Sequence, residues 1–289
     1  MPTLRDVQKR IKSVKSTRRI TGAMEMVAAA KLRRAQQKVE ATRPYADKME
    51  EMLHHLAAGS TGEIIHPFFE EREVKKKTLV LFTADRGFCG SYNANIIRDS
   101  VIWLNENRDV ETELLIIGKK GNDYFKRRDY EIVGNYPDWN TTLDYGKARE
   151  IVSLLTGRFV NGETDQVELL YTRFLSMAKY RITRSKYLPI PKPEVDEEAN
   201  TGGTDYIFEP DAEKIYSALM PSYATTMFVT ALVESFASEL GSRMIAMNAA
   251  TKNAGDMIER LTLEYNKARQ AQITKELLDV VTGAEALKG

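Results

Sequence analysis

The feature that most constrains the fold is a long stripe of apolar and small residues at coiled-coil spacing near the C-terminal end. Steps of three and four residues join its members, which are Met244, Met247, Thr251, Ala254, Ile258, Leu261, Tyr265 and Ala268. This spacing predicts a helix that begins near Asp211, ends near Val281 and pairs with another helix. At ~1.5 Å per residue such a helix would measure roughly 100 Å. We therefore expect most of it to project beyond a globular domain or to contact something else.

The N-terminal segment supplies the expected partner helix. Thr3 and Asp6 have the spacing of a capping box, and Pro44 predicts a bend or a local interruption. Glycines from Gly59 onward end the helical pattern. The apolar stripe consists of Leu4, Val7, Ile11 and Val14, then Ile20, Met24 and Val27, then Ala28, Leu32, Ala35 and Val39, and lastly Met49, Leu53 and Leu56. The two ends of the chain are predicted to form one antiparallel coiled coil.

The middle of the chain predicts a different architecture. Short apolar strands at 77–83, 112–118 and 166–171 alternate with predicted helices at 94–107 and 143–159, and residues 187–191 are expected to close a sheet edge. This alternation indicates βαβ units and an inserted Rossmann-like α/β domain with a mostly parallel sheet. The predicted segments are an N-terminal coiled-coil helix at 1–58, a linker at 59–76, the α/β domain at 77–190, a linker and foot loop at 191–210, and a C-terminal coiled-coil helix at 211–289.

Composition excludes several classes of protein. The net charge is +1, and Cys89 is the one cysteine, so no internal disulfide is possible. No apolar run is long enough to span a bilayer, and Met1 to Lys12 lacks the apolar core of a secretory signal. We expect a soluble intracellular chain. The segment from Met1 to Arg43 carries twelve basic and three acidic residues. It contains no aromatic residue that could stack on bases, so the sequence favours a partner-facing surface over nucleic acid.

No catalytic or metal-binding pattern stands out. The loop Asp85-Arg-Gly-Phe-Cys-Gly90 follows a strand and precedes a helix, where nucleotides often bind. It matches neither phosphate-binding glycine motif, so a turn that needs its two glycines is the simpler interpretation. Cys89 could be an activated thiol, but a small half-buried residue is favoured because no histidine lies nearby in sequence. The three histidines, His54, His55 and His66, lack metal-ligand spacing, and no cofactor is predicted. The residues alone indicate a mechanical or scaffold protein.

Four stretches resemble one family. The C-terminal segment from Ile273 to Ala286 is similar to the signature of the gamma subunit of F-type ATP synthases, bacterial type. Its fixed positions are met by Ile273, Thr274, Glu276, Asp279, Gly283, Ala284 and Ala286. The stretches 19–31, 85–90 and 246–255 also agree, as does the order of helix, α/β domain and helix. The resemblance covers essentially the whole chain.

The resemblance implies the central rotor stalk of ATP synthase. The coiled coil would stand inside a ring of three alpha and three beta subunits. The foot would rest on the membrane c-ring beside the epsilon subunit, at the cytoplasmic face of the bacterial cell membrane. The chain would be a peripheral, non-catalytic subunit that transmits torque between proton flow and the beta sites and regulates ATPase activity. Membrane association would come only through the complex, and no nucleic acid is expected.

The resemblance also implies contact residues. Arg269, Gln270 and Thr274 match a polar catch that grips a beta loop, and the other matching positions are Arg243 and Met24 as beta contacts and Tyr206 and Glu209 near the c-ring. The redox switch of plastid relatives is absent because it needs a cysteine pair. Two alternatives to the rotor remain open. One is a coiled-coil adaptor with no role in ATP turnover, and the other is a nucleotide-binding enzyme that uses the loop 85–90.

Overall fold

The computed structural model describes residues 3–59, 66–139, 144–177, 179–191 and 212–286. Their elements, in chain order, are helix α1 (Leu4–Gly59), a short 3-10 helix (Pro67–Phe69), β1 (Lys76–Phe82), α2 (Tyr92–Glu106), β2 (Glu111–Ile117), α3 (Lys119–Phe125), β3 (Glu131–Tyr136), α4 (Tyr145–Val160), β4 (Gln166–Ser176), β5 (Lys179–Leu188) and α5 (Ala212–Ala286). The chain divides into two compact units, one formed by Met1–Ala29 with Arg243–Gly289 and the other by Ala30–Ser242. The five segment limits given from the sequence stay a prediction.

The unit Ala30–Ser242 is built on one five-stranded sheet with the strand order β3-β2-β1-β4-β5. The pairs β1–β2, β1–β4 and β2–β3 are parallel, and β5 pairs antiparallel with β4. Residues Leu79 to Phe82 of β1 and Leu114 to Ile117 of β2 are buried, as is typical of parallel strands with both faces covered. The mostly parallel α/β sheet and the two long terminal helices are confirmed.

Helix α3 and strand β3 were missing from the sequence-based interpretation. Helix α3 has only seven residues, and β3 is an edge strand whose residues are half-buried or exposed. Both patterns are weak in the sequence because short helices and edge strands bury little apolar surface. In addition, the predicted strand at 166–171 continues to Ser176, where it pairs with β5. The sheet edge expected at 187–191 is formed mainly by residues before Leu188.

The long helices begin close to where the sequence placed them. At the start of α1, Thr3 N donates to Asp6 Oδ2 at 3.1 Å and Asp6 N donates to Thr3 Oγ1 at 3.3 Å, which confirms the capping box. Pro44 lies inside α1 and Pro221 inside α5, and neither ends its helix. Buried side chains such as Met49 and Met220 flank these prolines, and their packing offsets the backbone hydrogen bond that each proline removes. The local interruption considered at Pro44 was therefore wrong, and α5 likewise continues through Pro221.

Candidate functional site

The two chain ends pair as antiparallel helices within their own unit. Thr251 Oγ1 lies 2.8 Å from Thr21 Oγ1, and Asn248 Nδ2 donates to Glu25 Oε1 at 2.7 Å. As residue numbers rise along α1 they fall along α5, which makes the pair antiparallel. A Cβ built on Gly22 would lie 3.9 Å from the Thr251 methyl group. Small side chains thus allow a close approach of the two helices here.

One part of the predicted stripe on α1 was wrong. Ile20 and Val27 are exposed, whereas Thr21 and Ala28 are buried. The face of α1 that packs against α5 is therefore shifted by one residue from the apolar positions Ile20 and Val27. The physical reason is the partner surface, because the Thr251 hydroxyl offers a hydrogen bond to Thr21 that an isoleucine could not make. On α5 the stripe agrees with the structure, since Met247, Ala254 and Leu261 are buried.

The last part of α5 has no apolar seam. Every side chain from Asn266 to Ala284 is exposed, including the apolar residues Ile273, Leu277, Leu278, Val280 and Val281. Arg269, Gln270 and Thr274 lie in this exposed part, and Thr274 Oγ1 donates to the Gln270 carbonyl at 3.0 Å. The three residues predicted to form a polar catch therefore share one short, accessible stretch of helix.

The other predicted contacts are spread out. Arg243 is half-buried and lies roughly 40 Å from Arg269 along α5. Met24 is also half-buried and lies between Thr21 and Glu25, the residues that bond to α5, whereas Met26 is exposed. Tyr206 and Glu209, predicted near the c-ring, lie outside the described residues. The structure brings the catch residues together, whereas Arg243 and Met24 lie at separate positions away from them.

The loop after β1 is held by its aspartate. Asp85 Oδ1 accepts hydrogen bonds from the backbone N–H groups of Lys119 and Asp138, both at 3.0 Å, and Oδ2 accepts one from Trp139 at 3.1 Å. This carboxylate ties together the three loops that follow β1, β2 and β3. These backbone N–H groups already donate to Asp85, and its negative charge would repel a phosphate. The arrangement therefore favours a structural turn over a nucleotide site.

The turn itself differs from the expectation that both glycines are required. Gly90 has a φ of 58°, in the left-handed region, but the other left-handed residue is Phe88, with a φ of 61°. The Phe88 side chain is exposed. Cys89 is buried rather than half-buried, and Asn93 Nδ2 donates to its Sγ at 3.1 Å. The thiol is therefore shielded by packing, as a structural cysteine would be.

The part of the chain that the structure describes carries neither a metal site nor a membrane span. No cluster of three or more His, Cys, Asp or Glu side chains there could hold a metal ion. No helix in the same residues is long and apolar enough to cross a membrane. His54 and His55 are exposed, whereas the half-buried His66 caps the 3-10 helix by accepting a hydrogen bond from Phe68 N at 3.1 Å.

Known proteins resemble this chain over its full length. The sequence model of a family described as ATP synthase matches residues 3–287. The chain belongs to the gamma-chain family of ATP synthases. It is 46% identical to the ATP synthase gamma chain of Desulforamulus reducens over 289 residues, which cover 100% of both chains. It is also 46% identical to that of Moorella thermoacetica over 288 residues, again covering 100% of both.

Solved structures agree in fold. A chain in the central stalk and c-ring structure of the Tetrahymena thermophila mitochondrial ATP synthase is 26% identical, with a TM-score of 0.63, and the match covers 80% of this chain and 99% of that one. A chain of the Euglena gracilis mitochondrial enzyme has a TM-score of 0.66 at 18% identity, covering 98% and 94%, and shows a shared fold. The gamma-chain assignment made from the sequence is confirmed, together with the role of rotor subunit in the central stalk.

Sequence reasoning missed two polar groups that the structure makes prominent. Asp85 was considered only as part of a possible nucleotide loop, although an acid directly after a buried strand is a recognisable signal. Glu234 is buried between apolar residues such as Val233 and Ala237, and Glu239 is buried further along the same helix. Acids within a mostly apolar helix are themselves a signal, because a buried charge needs a partner.

Proposed function

We propose that this chain transmits torque between proton flow through a membrane c-ring and the catalytic beta sites of a ring of three alpha and three beta subunits. ATP chemistry belongs to the beta subunits, and this chain is non-catalytic. It works with an epsilon subunit at the cytoplasmic face of the bacterial cell membrane, and reaches the membrane only through the complex.

The observation that carries this proposal is the exposed end of α5. A long run of exposed helix with five large apolar side chains needs a surrounding partner, because contiguous exposed apolar surface marks an interaction site. An apolar helix end that is surrounded by partner subunits suits rotation, since its turning past them breaks no buried ion pair. Arg269, Gln270 and Thr274 precede that apolar end and are proposed to grip a beta loop, with Arg243 and Met24 as further contacts. Tyr206 and Glu209 are proposed to lie near the c-ring.

Torque can bias three identical beta subunits only if each meets a different face of the shaft. A ligand or subunit shifts an equilibrium only by its differential interaction with the states involved. The pair of helices provides such differences, because within the described residues α5 packs on α1 near Thr251 but is exposed on every face from Asn266 to Ala284. The shaft therefore presents different side chains on each face.

Reconstitution tests the proposal. Alpha and beta subunits are combined with and without this chain, and ATP hydrolysis and complex formation are measured together. We expect hydrolysis to depend on the presence of the chain and the chain to co-purify with the hexamer. Failure to associate with alpha and beta would refute the rotor function. Association without any effect on hydrolysis would support the adaptor, and saturable nucleotide binding by the isolated chain in equilibrium dialysis would revive the enzyme.

A further inference from the structure

A buried carboxylate joins α1, α5 and the sheet within the unit Ala30–Ser242. Glu234 on α5 is 3% exposed. Its Oε1 accepts hydrogen bonds from Arg43 Nε at 3.1 Å and Arg43 Nη2 at 2.9 Å. The same Nη2 donates to the carbonyl of Phe174 on β4 at 2.7 Å, and Arg173 Nε lies 3.9 Å from Glu234 Oε2. One guanidinium therefore binds two different elements at once.

Serine hydroxyls continue this junction along the same side of α5. Ser238 Oγ donates to the Thr172 carbonyl of β4 at 3.0 Å, and Ser235 Oγ accepts from Thr172 N at 3.4 Å. Ser235 Oγ also lies 2.8 Å from the Tyr92 hydroxyl of α2. All of these side chains are buried. Burial raises the pKa of Tyr92, so its hydroxyl remains protonated and able to donate. The helix is thus bonded to two elements of the α/β domain by directional contacts.

Stability alone does not explain this chemistry. Apolar packing is non-directional, so it resists separation of two surfaces better than sliding of one along the other. Hydrogen bonds weaken steeply when their geometry is lost, and buried ones are strengthened by the low dielectric. A buried ion pair gives little net stability compared with apolar residues of similar volume, and its best-attested use is to fix register. The junction therefore fixes position more than it adds free energy.

We infer that Arg43, Glu234 and the serine contacts on α5 hold the sheet and the two long helices in one register, so that torque passes between them without slippage. This inference rests on the proposed rotor function. Arg43 and Glu234 are positioning residues, since they act by holding the elements that carry the contact surfaces.

The test is a double replacement, Arg43→Met with Glu234→Met, in the complete complex with alpha, beta, epsilon and c-ring in vesicles. It removes both charges and leaves no unpaired one buried, so folding stability should be retained. ATP hydrolysis and ATP-driven proton uptake are measured on the same vesicles. We expect hydrolysis to continue while protons pumped per ATP hydrolysed fall by at least about fivefold. A merely structural pair would leave this ratio unchanged, and that result would overturn the inference.

The matched control is the pair Arg184→Met with Asp99→Leu, which removes an ion pair of 2.8 Å in the same domain whose carboxylate is 26% exposed, against 4% for that of Glu234. It should pump protons as the unaltered chain does, and an equal loss of pumping in this control would also overturn the inference. If the double replacement prevents assembly, Ser238→Ala removes one directional contact with little change in volume, and its pumping ratio decides in the same way. Absence of pumping with the unaltered chain would instead count against the rotor function itself.

Discussion

Arg158, in the last turn of α4, donates hydrogen bonds from Nη2 to both carboxylate oxygens of Glu113 on β2, at 3.0 Å to Oε1 and 2.8 Å to Oε2. Glu113 is fully buried. Lys76 Nζ lies 3.1 Å from Oε2, and the Thr78 hydroxyl donates to Oε1. Two cations and a hydroxyl thus compensate one buried carboxylate at the start of the sheet.

Removing one member of this cluster should be costly. Arg158→Met leaves Glu113 buried with one fewer cation, and we expect the free energy of unfolding to fall by about 3–5 kcal/mol. Urea titration followed by circular dichroism measures this change. As the control, Lys126→Met removes a more exposed ion pair with Asp123, and it should leave the unfolding midpoint almost unchanged. Equal midpoints for the two variants would contradict the prediction.

The hydroxyl pair between the helices of the chain ends can be measured by a double-mutant cycle. Thr251→Val keeps the shape of the side chain but removes its contact with Thr21, and we expect a loss of about 1 kcal/mol. The combined Thr21→Val and Thr251→Val variant should lose less than the sum of the two single variants. Thr262→Val is the control, because Thr262 is exposed and its hydroxyl donates only to the Ile258 carbonyl of its own helix. Full additivity would show that the two hydroxyls do not interact.

His66 should make stability depend on pH. Its burial lowers the pKa of the imidazole below the ordinary value of 6.5, and its Nδ1 is the acceptor that caps the 3-10 helix. Above pH 6.5 the ring is neutral in both the folded and the unfolded states. As the pH falls through 6.5, the unfolded ring takes up a proton that the folded ring does not. The free energy of unfolding should therefore decrease and level off below the folded pKa.

Unfolding measured from about pH 8 to about pH 5 tests this dependence. His66→Asn keeps a side-chain oxygen that can accept at the cap, and it should flatten the component of the profile near pH 6.5. His54→Asn, at an exposed histidine on α1, should leave that component in place. Identical profiles for the unaltered chain and His66→Asn would assign the pH dependence to other groups.

The exposed catch on α5 should affect coupling without affecting folding. Arg269→Ala with Gln270→Ala removes side chains that are exposed in this chain, so the thermal unfolding midpoint should not change. In the reconstituted complex we expect ATP synthesis driven by a proton gradient to fall by about tenfold, the effect of losing a coupling free energy near 1.4 kcal/mol. Lys275→Ala, an exposed cation on the same part of α5, is the control. Unchanged synthesis in the double variant would remove these residues from the coupling surface.

Periodicity predicted much of the fold because it reports which face of an element is buried. The stripe through Met247, Ala254 and Leu261 and the buried runs of β1 and β2 were readable for this reason. The family followed from short-range identity at the C-terminal signature, which needs no tertiary information. Helix α3 and strand β3 could not be read in the same way, because a seven-residue helix and a half-exposed edge strand leave little pattern.

The sequence by itself thus determined the two long helices, the mostly parallel sheet and the family. Tertiary structure alone decided which residues meet. It placed Thr21 rather than Ile20 in the helix seam, gave the Asp85 carboxylate three backbone N–H partners, and paired Arg43 with Glu234 across 191 residues of sequence. The physical reason is that a buried polar group is stabilised by a specific partner in three dimensions. Local pattern shows that such a group needs a partner, but not which residue provides it.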